Sequence, residues 1–333
     1  MRRLTLILSD LYLPEEAMAG EVPQTQQLPA LEWLLRFASP PLRIRDWRRW
    51  LLQQLGSDLA EHRIAAVSAA GTLSASGLES AWLATPVALE ARLDHVRLAE
   101  RGLLSLDAAE RMSVCTEFNR VFGPQHSLSE CGERAFLLGG VAPLVASVAD
   151  PARYLGAQIG PALAGADASE LRRLSAEIEM WLHGSALNRE RERLGRRPIS
   201  ALWLWGGDRA GAVSNTQVDL AIEFYGGDPL MRGLARMRRT APRDPPPALV
   251  QAWPAPHLIA EFAAMSGRAP ESLSALDSNW FAAARDMLAA GKLSSLEIVA
   301  NDLCFTITPR ARWRWWRRRR NWLEMLAHPS PKA

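Results

Sequence analysis

Apolar and polar positions along the 333-residue chain alternate between a period near two and a period near 3.6, which predicts an α/β protein. Runs of aliphatic and aromatic residues predict strands over 4–8, 134–138, 199–205, 218–224, 293–299 and 303–308, with two or three more between 63 and 98. Amphipathic stretches predict helices over 28–37, 46–55, 106–122, 228–237 and 277–290, and another between 167 and 184. The predicted architecture is a mixed sheet flanked by helices.

Proline is concentrated in one stretch, since six of the 22 prolines lie between 242 and 256. Because proline lacks a backbone donor and cannot continue a helix, this stretch is predicted to be an extended connector. It divides the sequence into a main α/β domain over 1–241, the connector over 242–256, an α/β C-terminal lobe over 257–308 and an Arg/Trp-rich tail over 309–333.

The segment 176–208 is the most informative part of the sequence. A helix that stops near Gly184 is followed by an arginine-dense stretch, which we predict to be a turn, and then by an apolar strand that ends at Gly206 and Gly207. An arginine beside Asn188, held next to a buried strand, suits a phosphate or a carboxylate because the guanidinium fork binds two oxygens at once.

The segment therefore predicts a site for a small anionic metabolite, either phosphorylated or carboxylated. The alternative is a solvated turn, because only Lys292 and Lys332 are lysines and 37 of the 39 basic residues are arginine, which indicates a compositional bias. The candidate ligand-binding residues are Glu177, His183, Asn188, Arg189, Arg191, Trp203, Trp205, Gly206 and Gly207.

A family resemblance rests on the same segment. The matching residues are Glu177, Met180, His183, Asn188, Arg191 and the run Trp203-Leu204-Trp205-Gly206-Gly207. In this pattern the segment resembles the RpfE-type regulatory proteins of Gram-negative bacteria, which are described as phosphoglycerate mutase-like. The departures are Ala176 in place of Asn, Glu179 in place of Gln, Ser185-Ala186 in place of His-Pro, and Asp208 in place of Gly.

That family is similar to part of the archaeal-type, cofactor-independent phosphoglycerate mutases. The resemblance implies a fold like the substrate or insertion portion of these alkaline phosphatase-like enzymes. Their catalysis uses a phospho-accepting serine and about seven Asp or His ligands around two metal ions, which neutralise the transferring phosphoryl group. Here the first strand leads into Ser9-Asp10-Leu11 without a glycine turn, and the six histidines are scattered. We therefore predict no catalytic residue, no metal site and no cofactor.

Cysteine usage and the apolar runs bear on the compartment. Cys115, Cys131 and Cys304 have neither zinc-site nor Cys-x-x-Cys spacing, and we predict that they are buried thiols. The first apolar stretch ends at Asp10, and no run approaches the ~20 residues that span a bilayer. A cytoplasmic protein without an integral membrane segment is expected.

The tail over 309–322 holds seven arginines and four of the 13 tryptophans. Removing those seven charges changes the formal net charge from +3 to −4, so the basic character belongs to the tail. One interpretation is that the four tryptophans pack onto the body with arginine stems lying across them: Trp313, Trp315, Trp316 and Trp322. The other is that the stretch from Arg310 to Arg320 contacts an acidic protein or an anionic surface.

Three functional hypotheses follow. The first is a regulatory, non-catalytic protein that binds a small anionic metabolite, and the scarcity of metal ligands favours it. The alternative is a metal-dependent phosphoglycerate mutase or a related phosphotransfer enzyme. The third is a peripheral nucleic-acid or membrane binder that acts through the tail.

Overall fold

The structure, a computed structural model, describes residues 2–11, 27–56, 59, 63–70, 72–73, 80–141, 147–159, 163–164, 168–207, 221–249, 253, 255–263, 273–300, 302–313, 316–318 and 320–326. The chain divides into two compact units. Unit 1 comprises 1–55, 218–227 and 238–333, and unit 2 comprises 56–217 and 228–237. The partition at 241, 256 and 308 follows proline content along the sequence and stays a prediction.

In chain order, the strands are β1 (Arg2–Leu8), β2 (Leu42–Arg43), β3 (Trp82–Ala91), β4 (Val96–Leu103), β5 (Ser127–Glu130), β6 (Phe136–Gly139), β7 (Ser147–Val148), β8 (Leu163–Ala164), β9 (Ala201–Trp205), β10 (Ile222–Tyr225), β11 (His257–Phe262), β12 (Leu293–Ala300) and β13 (Leu303–Ile307). The α-helices are α1 (Pro29–Phe37), α2 (Trp47–Leu55), α3 (Ile64–Ala69), α4 (Ala108–Phe122), α5 (Ala168–His183), α6 (Ala186–Arg193), α7 (Pro229–Met237), α8 (Leu273–Leu276), α9 (Ala282–Ala289) and α10 (Trp322–Leu326). A π-helical turn, Asp277–Phe281, joins α8 to α9.

Unit 1 is built on a mixed sheet with the strand order β10-β11-β1-β12-β13-β2. β1 lies between β11 and β12 and runs parallel to both, whereas β13 returns antiparallel beside β12. Successive side chains of a strand point to opposite faces, so Leu4, Leu6 and Leu8 share one face of β1. These leucines belong to a core that also contains residues of α1, the π-helical turn, α9 and α10. The opposite face presents Arg3 and Thr5.

Unit 2 is built on an antiparallel sheet in which β3 pairs with β4, β6 and β9. α4 and α5 contribute Phe118 and Ile178 to a core that also holds Phe136 and Leu204 of the sheet. α4 begins at a capping box, in which the Asp107 side chain accepts from the backbone of the third helical residue and that residue's carboxylate accepts from the Asp107 backbone. α5, α6 and β9 of this unit contain most of the segment 176–208 that the sequence analysis identifies as the most informative.

The predicted mixed α/β architecture with flanking helices is confirmed. One local prediction is wrong, and one region contains a helix in addition to the predicted strands. The arginine-dense stretch after Gly184 is helix α6 and not a turn, because Ser185 Oγ accepts a hydrogen bond from the Asn188 N–H at 3.1 Å and caps a new helix. The region 63–98 begins with α3 before its two strands. Among the helices that the structure describes, none has both the length and the apolar character that crossing a bilayer requires.

Candidate functional site

Asn188 is a buried residue of α6 that bonds to the chain just before β9. Its side-chain amide donates to the carbonyls of Leu182 at 2.8 Å and Ile199 at 2.9 Å, and its Oδ1 accepts from the Ile199 N–H at 2.8 Å. Both amide protons are therefore used within the protein. The residue joins the end of α5 to the start of the strand.

Arg191 is also engaged with the protein. Its Nη1 donates to Glu110 Oε1 at 2.5 Å, its Nε donates to the Arg197 carbonyl at 2.8 Å, and its side chain is 6% exposed. Arg196 Nη1 lies 3.2 Å from the same Glu110 oxygen and 3.3 Å from Asp107 Oδ2. The Glu110 backbone N–H, and then the Arg196 guanidinium, hold the pKa of Asp107 below its usual range. This network fastens α6 to α4.

The two tryptophans of β9 each donate to a protein oxygen. Trp203 Nε1 donates to the Ala149 carbonyl at 3.0 Å, and Trp205 Nε1 donates to Thr85 Oγ1 at 3.0 Å. Both indoles are at least nine-tenths buried. Since they are two residues apart in β9, both lie on the same face of the strand, and their hydrogen bonds fix that face to the protein.

The two glycines after β9 are required by packing. Gly206 has a φ of +69°, in the left-handed region that favours glycine. A Cβ at Gly207 would lie 2.2 Å from the buried indole of Trp82, so any side chain there would collide with it. The close approach that the sequence attributes to a ligand is made here by Trp82.

The remaining candidates are more exposed. Arg189 Nη1 donates to the Gly184 carbonyl at 2.7 Å, and Glu177 Oε1 lies 3.4 Å from Arg173 Nη1. His183 is exposed at the end of α5. Arg189 and His183 keep polar surface that solvent can reach.

Asn188 and Gly206 lie near opposite ends of one strand. Asn188 binds Ile199, before β9 begins, whereas Gly206 follows its last residue. Seven residues of extended chain span about 23 Å. The structure therefore does not bring these two residues around one ligand, and anion binding near Arg189 stays a prediction. Asp208, the departure at the rim of the predicted site, lies outside the described residues.

A cavity of about 330 Å³ lies in unit 1, on the side of the sheet that presents Arg3 and Thr5. Residues of β1, β10, β11 and β12 line it together with residues of α2. Its main polar side chains are Arg3, Thr5, His257, Ser294 and Glu297. Its apolar walls are Trp50, Leu51, Leu55, Ile222 and Ile259. The volume falls in the range of about 300–1,000 Å³ that is usual for small-molecule sites.

Three of the polar residues form a hydrogen-bonded chain across neighbouring strands. Thr5 Oγ1 donates to Glu297 Oε2 at 2.8 Å, and Thr5 Oγ1 lies 3.0 Å from His257 Nε2. A hydroxyl has one proton, which Thr5 gives to Glu297, so the Thr5 oxygen accepts from His257. Nε2 of the imidazole therefore carries the proton, and Nδ1 is left as an acceptor.

Burial, and then the positive charge of Arg3, lower the pKa of His257 to about 4. The imidazole is therefore neutral near pH 7, which agrees with the tautomer that Thr5 imposes. Thr5 is 1% exposed and forms the floor, whereas His257 and Glu297 are half-buried. No described residue bonds to the Arg3 guanidinium, to His257 Nδ1 or to Glu297 Oε1. The cavity thus offers one cation, one anion and a neutral acceptor.

A second polar group lies at the carboxyl ends of β1 and β11. Ser9 Oγ donates to Glu261 Oε1, and the Ser9 N–H donates to the Phe262 carbonyl at 3.0 Å. Ser9, Asp10 and Glu261 are all buried. Within the described ranges, no group of three or more His, Cys, Asp or Glu side chains is placed to hold a metal ion.

The cysteines are free thiols. Burial raises the pKa of Cys115, Cys131 and Cys304 to about 12, so all three are protonated at neutral pH and are weak nucleophiles. The prediction of buried thiols is confirmed for Cys131 and Cys304, while Cys115 is half-buried.

The described part of the tail is packed at one end and exposed in the middle. Trp322 is 1% exposed in the unit 1 core, and Arg317 Nη1 donates to the Ala38 carbonyl beyond the end of α1. Trp316 is 65% exposed, and Arg318 and Arg320 are also exposed. The side chains of Trp313, Trp315, Arg312, Arg314 and Arg319 lie outside the described residues.

The comparisons with known proteins give distant likenesses to solved structures. No protein-family profile matches the chain, and no curated protein matches it. Among solved structures, the chain is similar to the cofactor-independent phosphoglycerate mutase from Thermoplasma acidophilum DSM 1728, with 16% identity, 92% of this chain and 89% of that chain covered, and a TM-score of 0.35. It is also similar to the PH0037 protein from Pyrococcus horikoshii, with 13% identity, 92% and 87% covered, and a TM-score of 0.43. The RpfE-type assignment stays a prediction.

Sequence reasoning missed the cavity. The available signal was the alternation of Arg3 and Thr5 with leucines in the first strand, and a lone glutamate, Glu297, in another apolar strand. The sequence pattern around these residues does not show that β11 and β12 lie beside β1. It therefore does not predict that His257 lies next to Thr5 and Glu297.

Proposed function

We propose that the chain is a non-catalytic protein of the cytoplasm that binds a small anionic metabolite, phosphorylated or carboxylated, in the unit 1 cavity. A regulatory role is the corollary that the RpfE-type resemblance suggests. The observation that carries the proposal is the Arg3 guanidinium, which has no bonding partner among the described residues and lines a cavity of small-molecule size. A guanidinium in that position binds a carboxylate or a phosphate with two parallel hydrogen bonds.

The floor of the cavity favours binding over covalent chemistry. Thr5, which donates to Glu297 at 2.8 Å, is 1% exposed, so its hydroxyl lies beneath the cavity surface and is not presented to a ligand as a nucleophile. The nearby imidazole is neutral near pH 7 because its pKa is about 4. The hydrogen bonds of Thr5 with His257 and Glu297 fix the orientation of these two side chains, which present acceptor atoms in the cavity wall.

The test is calorimetry and thermal-shift measurement with a panel of phosphate monoesters, hydroxy acids and amino acids. We expect at least one member to raise the melting temperature of the wild type. Arg3→Gln should weaken its binding at least about tenfold, because a hydrogen bond to a charged group contributes about 1.5–3 kcal/mol. Arg45→Gln is the matched control, since Arg45 is an exposed arginine of the same unit outside the cavity.

Two results would redirect or end the proposal. Loss of binding in Arg189→Gln with no change in Arg3→Gln would move the ligand to the start of α6. Absence of binding by every panel member to the wild type would overturn it.

The alternative, a phosphoglycerate mutase, is favoured by the position of Ser9 and Asp10 at the carboxyl end of β1. Mn²⁺-dependent turnover of 3-phosphoglycerate that Asp10→Asn abolishes would establish it.

The tail stays a candidate contact surface. Trp316, Arg318 and Arg320 are all exposed, as contact with an acidic protein or an anionic surface would require. Salt-sensitive binding to anionic vesicles or DNA that disappears when these three residues are replaced, with the fold intact, would support the contact.

A further inference from the structure

We infer that the metabolite held in the unit 1 cavity is a zwitterion, namely an α-amino acid with an apolar side chain, recognised by Arg3, Glu297 and His257. The inference rests on the proposed function, because it assumes that the cavity is the binding site. It narrows the ligand from phosphorylated or carboxylated metabolites in general to carboxylates that also carry an ammonium group.

The charges of the cavity select this pattern. Arg3 supplies one positive charge, and Glu297, with one carboxylate oxygen left over after its bond to Thr5, supplies one negative charge. A phosphate monoester carries up to two negative charges near neutral pH, so it would meet one arginine and be repelled by Glu297. A carboxylate paired with an ammonium group matches both residues.

The strand register places the two charges at a short spacing. Glu297 lies opposite Thr5 in the pairing of β12 with β1, and Arg3 lies two residues before Thr5 on β1. A separation of two residues along a strand and one strand across corresponds to about 8 Å between Cα atoms. Both side chains are long enough to reach adjacent carbons of one small ligand. His257, opposite Arg3 on β11, lies on the other side of β1.

The acceptors match the donors of an ammonium group. Thr5 leaves His257 Nδ1 unprotonated, and Glu297 Oε1 has no bond from a described residue. An ammonium group has three protons to donate and accepts none. A ligand that carried only a carboxylate would leave both acceptors unpaired in a half-buried site, which weakens binding.

The apolar walls specify the rest of the ligand. Trp50 and Leu51 of α2 are both buried, and Ile259 of β11 is 1% exposed. These side chains form a surface suited to an aliphatic or aromatic group. The volume of about 330 Å³ leaves room for a single amino acid of the size of leucine or phenylalanine and not for a large cofactor.

The experiment compares L-leucine with analogues that each lack one charge. Calorimetry is run on the full chain with L-leucine, with 4-methylpentanoate, which lacks the amino group, with 3-methylbutylamine, which lacks the carboxylate, and with 3-phosphoglycerate. We expect L-leucine to bind at least tenfold more tightly than the other three. Glu297→Gln should weaken L-leucine at least tenfold while leaving 4-methylpentanoate unchanged or bound more tightly.

The variants separate recognition from folding. Glutamine keeps an oxygen that accepts from Thr5, so the Thr5 contact survives in Glu297→Gln, and the melting temperature of the variant checks this directly. Glu324→Gln is the control, since Glu324 is an exposed carboxylate of the same unit. Equal binding of L-leucine and 4-methylpentanoate would overturn the zwitterion and leave the proposed function standing. Arg3-dependent binding of 3-phosphoglycerate alone would do the same. No binding by any of the four probes would overturn the zwitterion, whereas the proposed function is overturned only when every member of its wider panel also fails to bind.

Discussion

At the scale of single residues, Thr5 determines the chemistry of the unit 1 cavity. Its single proton goes to Glu297, and this choice fixes the proton of His257 on Nε2. The hydroxyl is 1% exposed, so its role is to orient two half-buried side chains and not to meet a ligand. Thr5 is therefore a positioning residue in a strand that is otherwise rich in leucine.

The first residue-scale prediction concerns pH. The pKa of His257 is lowered to about 4 in the folded chain, below its ordinary value near 6.5 in the unfolded chain. Between these values the unfolded state binds the proton and the folded state does not, so this contribution to stability is present above pH 6.5 and is lost as the pH falls towards 4. We expect a loss of about 1–2 kcal/mol between pH 6.5 and 4.5, after allowance for solvent screening of a half-buried group.

Urea unfolding at several pH values checks this expectation. The difference in the free energy of unfolding between the wild type and His257→Gln isolates the contribution, because groups with opposing shifts cancel. One such group is Asp277, whose pKa is raised by burial. Parallel pH profiles for the two proteins would contradict the predicted origin of the effect.

At the scale of elements, α6 is held by a charge network and not by apolar contacts alone. Arg191 and Arg196 of the α6 segment converge on Glu110, which also closes the capping box of α4. Two elements separated by about 80 residues thus share one carboxylate. Arg191, which is a candidate ligand-binding residue in the sequence, therefore also has a structural role.

Breaking this network should destabilise the fold. Arg191→Met leaves Glu110 buried with only Arg196 to pair with, and removal of one partner from a buried pair costs about 3 kcal/mol. The matched control is Arg193→Met, because Arg193 pairs with Glu190 on the exposed side of the same helix, 2.6 Å apart. Exposed pairs of this kind contribute less than about 1 kcal/mol. Equal free energies of unfolding for the two variants would refute the structural role of Arg191.

The sequence anticipated elements better than contacts. Periodicity located β1, α1, α2, α4, α7, β9, β12 and β13 to within a few residues, because buried faces repeat at two or 3.6 positions. It missed α6, because eight residues with three arginines carry little apolar signal and the cap at Ser185 is a single hydrogen bond. The sequence predicts the close approach of a ligand at Gly207, whereas the structure places the Trp82 indole there. This contact depends on the pairing of β3 with β9, which no local pattern of the sequence encodes.

At the scale of the whole molecule, each unit gathers segments from distant parts of the chain. The three strands that carry Thr5, His257 and Glu297 lie at opposite ends of the sequence. Strand order follows from long-range packing, so no local pattern of the sequence predicts that β11 and β12 flank the first strand.

The tail provides a prediction at this scale. Trp322 is 1% exposed within the unit 1 core, whereas Trp316 is 65% exposed. Trp322→Ala should lower the free energy of unfolding by about 3–5 kcal/mol, as expected for loss of a buried aromatic side chain. Trp316→Ala should change it by less than about 0.5 kcal/mol. Chemical denaturation followed by circular dichroism compares the two, and similar effects would show that the packed end of the tail is not part of the core.

The position of β1 between β11 and β12 has a consequence for synthesis on the ribosome. About 250 residues must be translated after Arg3 before its partner His257 exists. At 5–20 residues per second this takes roughly 10–50 s. During that time Leu4, Leu6 and Leu8 have no sheet to join, while β3, β6 and β9 of unit 2 are already complete. The unit 1 sheet therefore cannot form around β1 until β11 and β12 have been synthesised. A nascent chain that stops before β11 lacks both neighbours of its first strand.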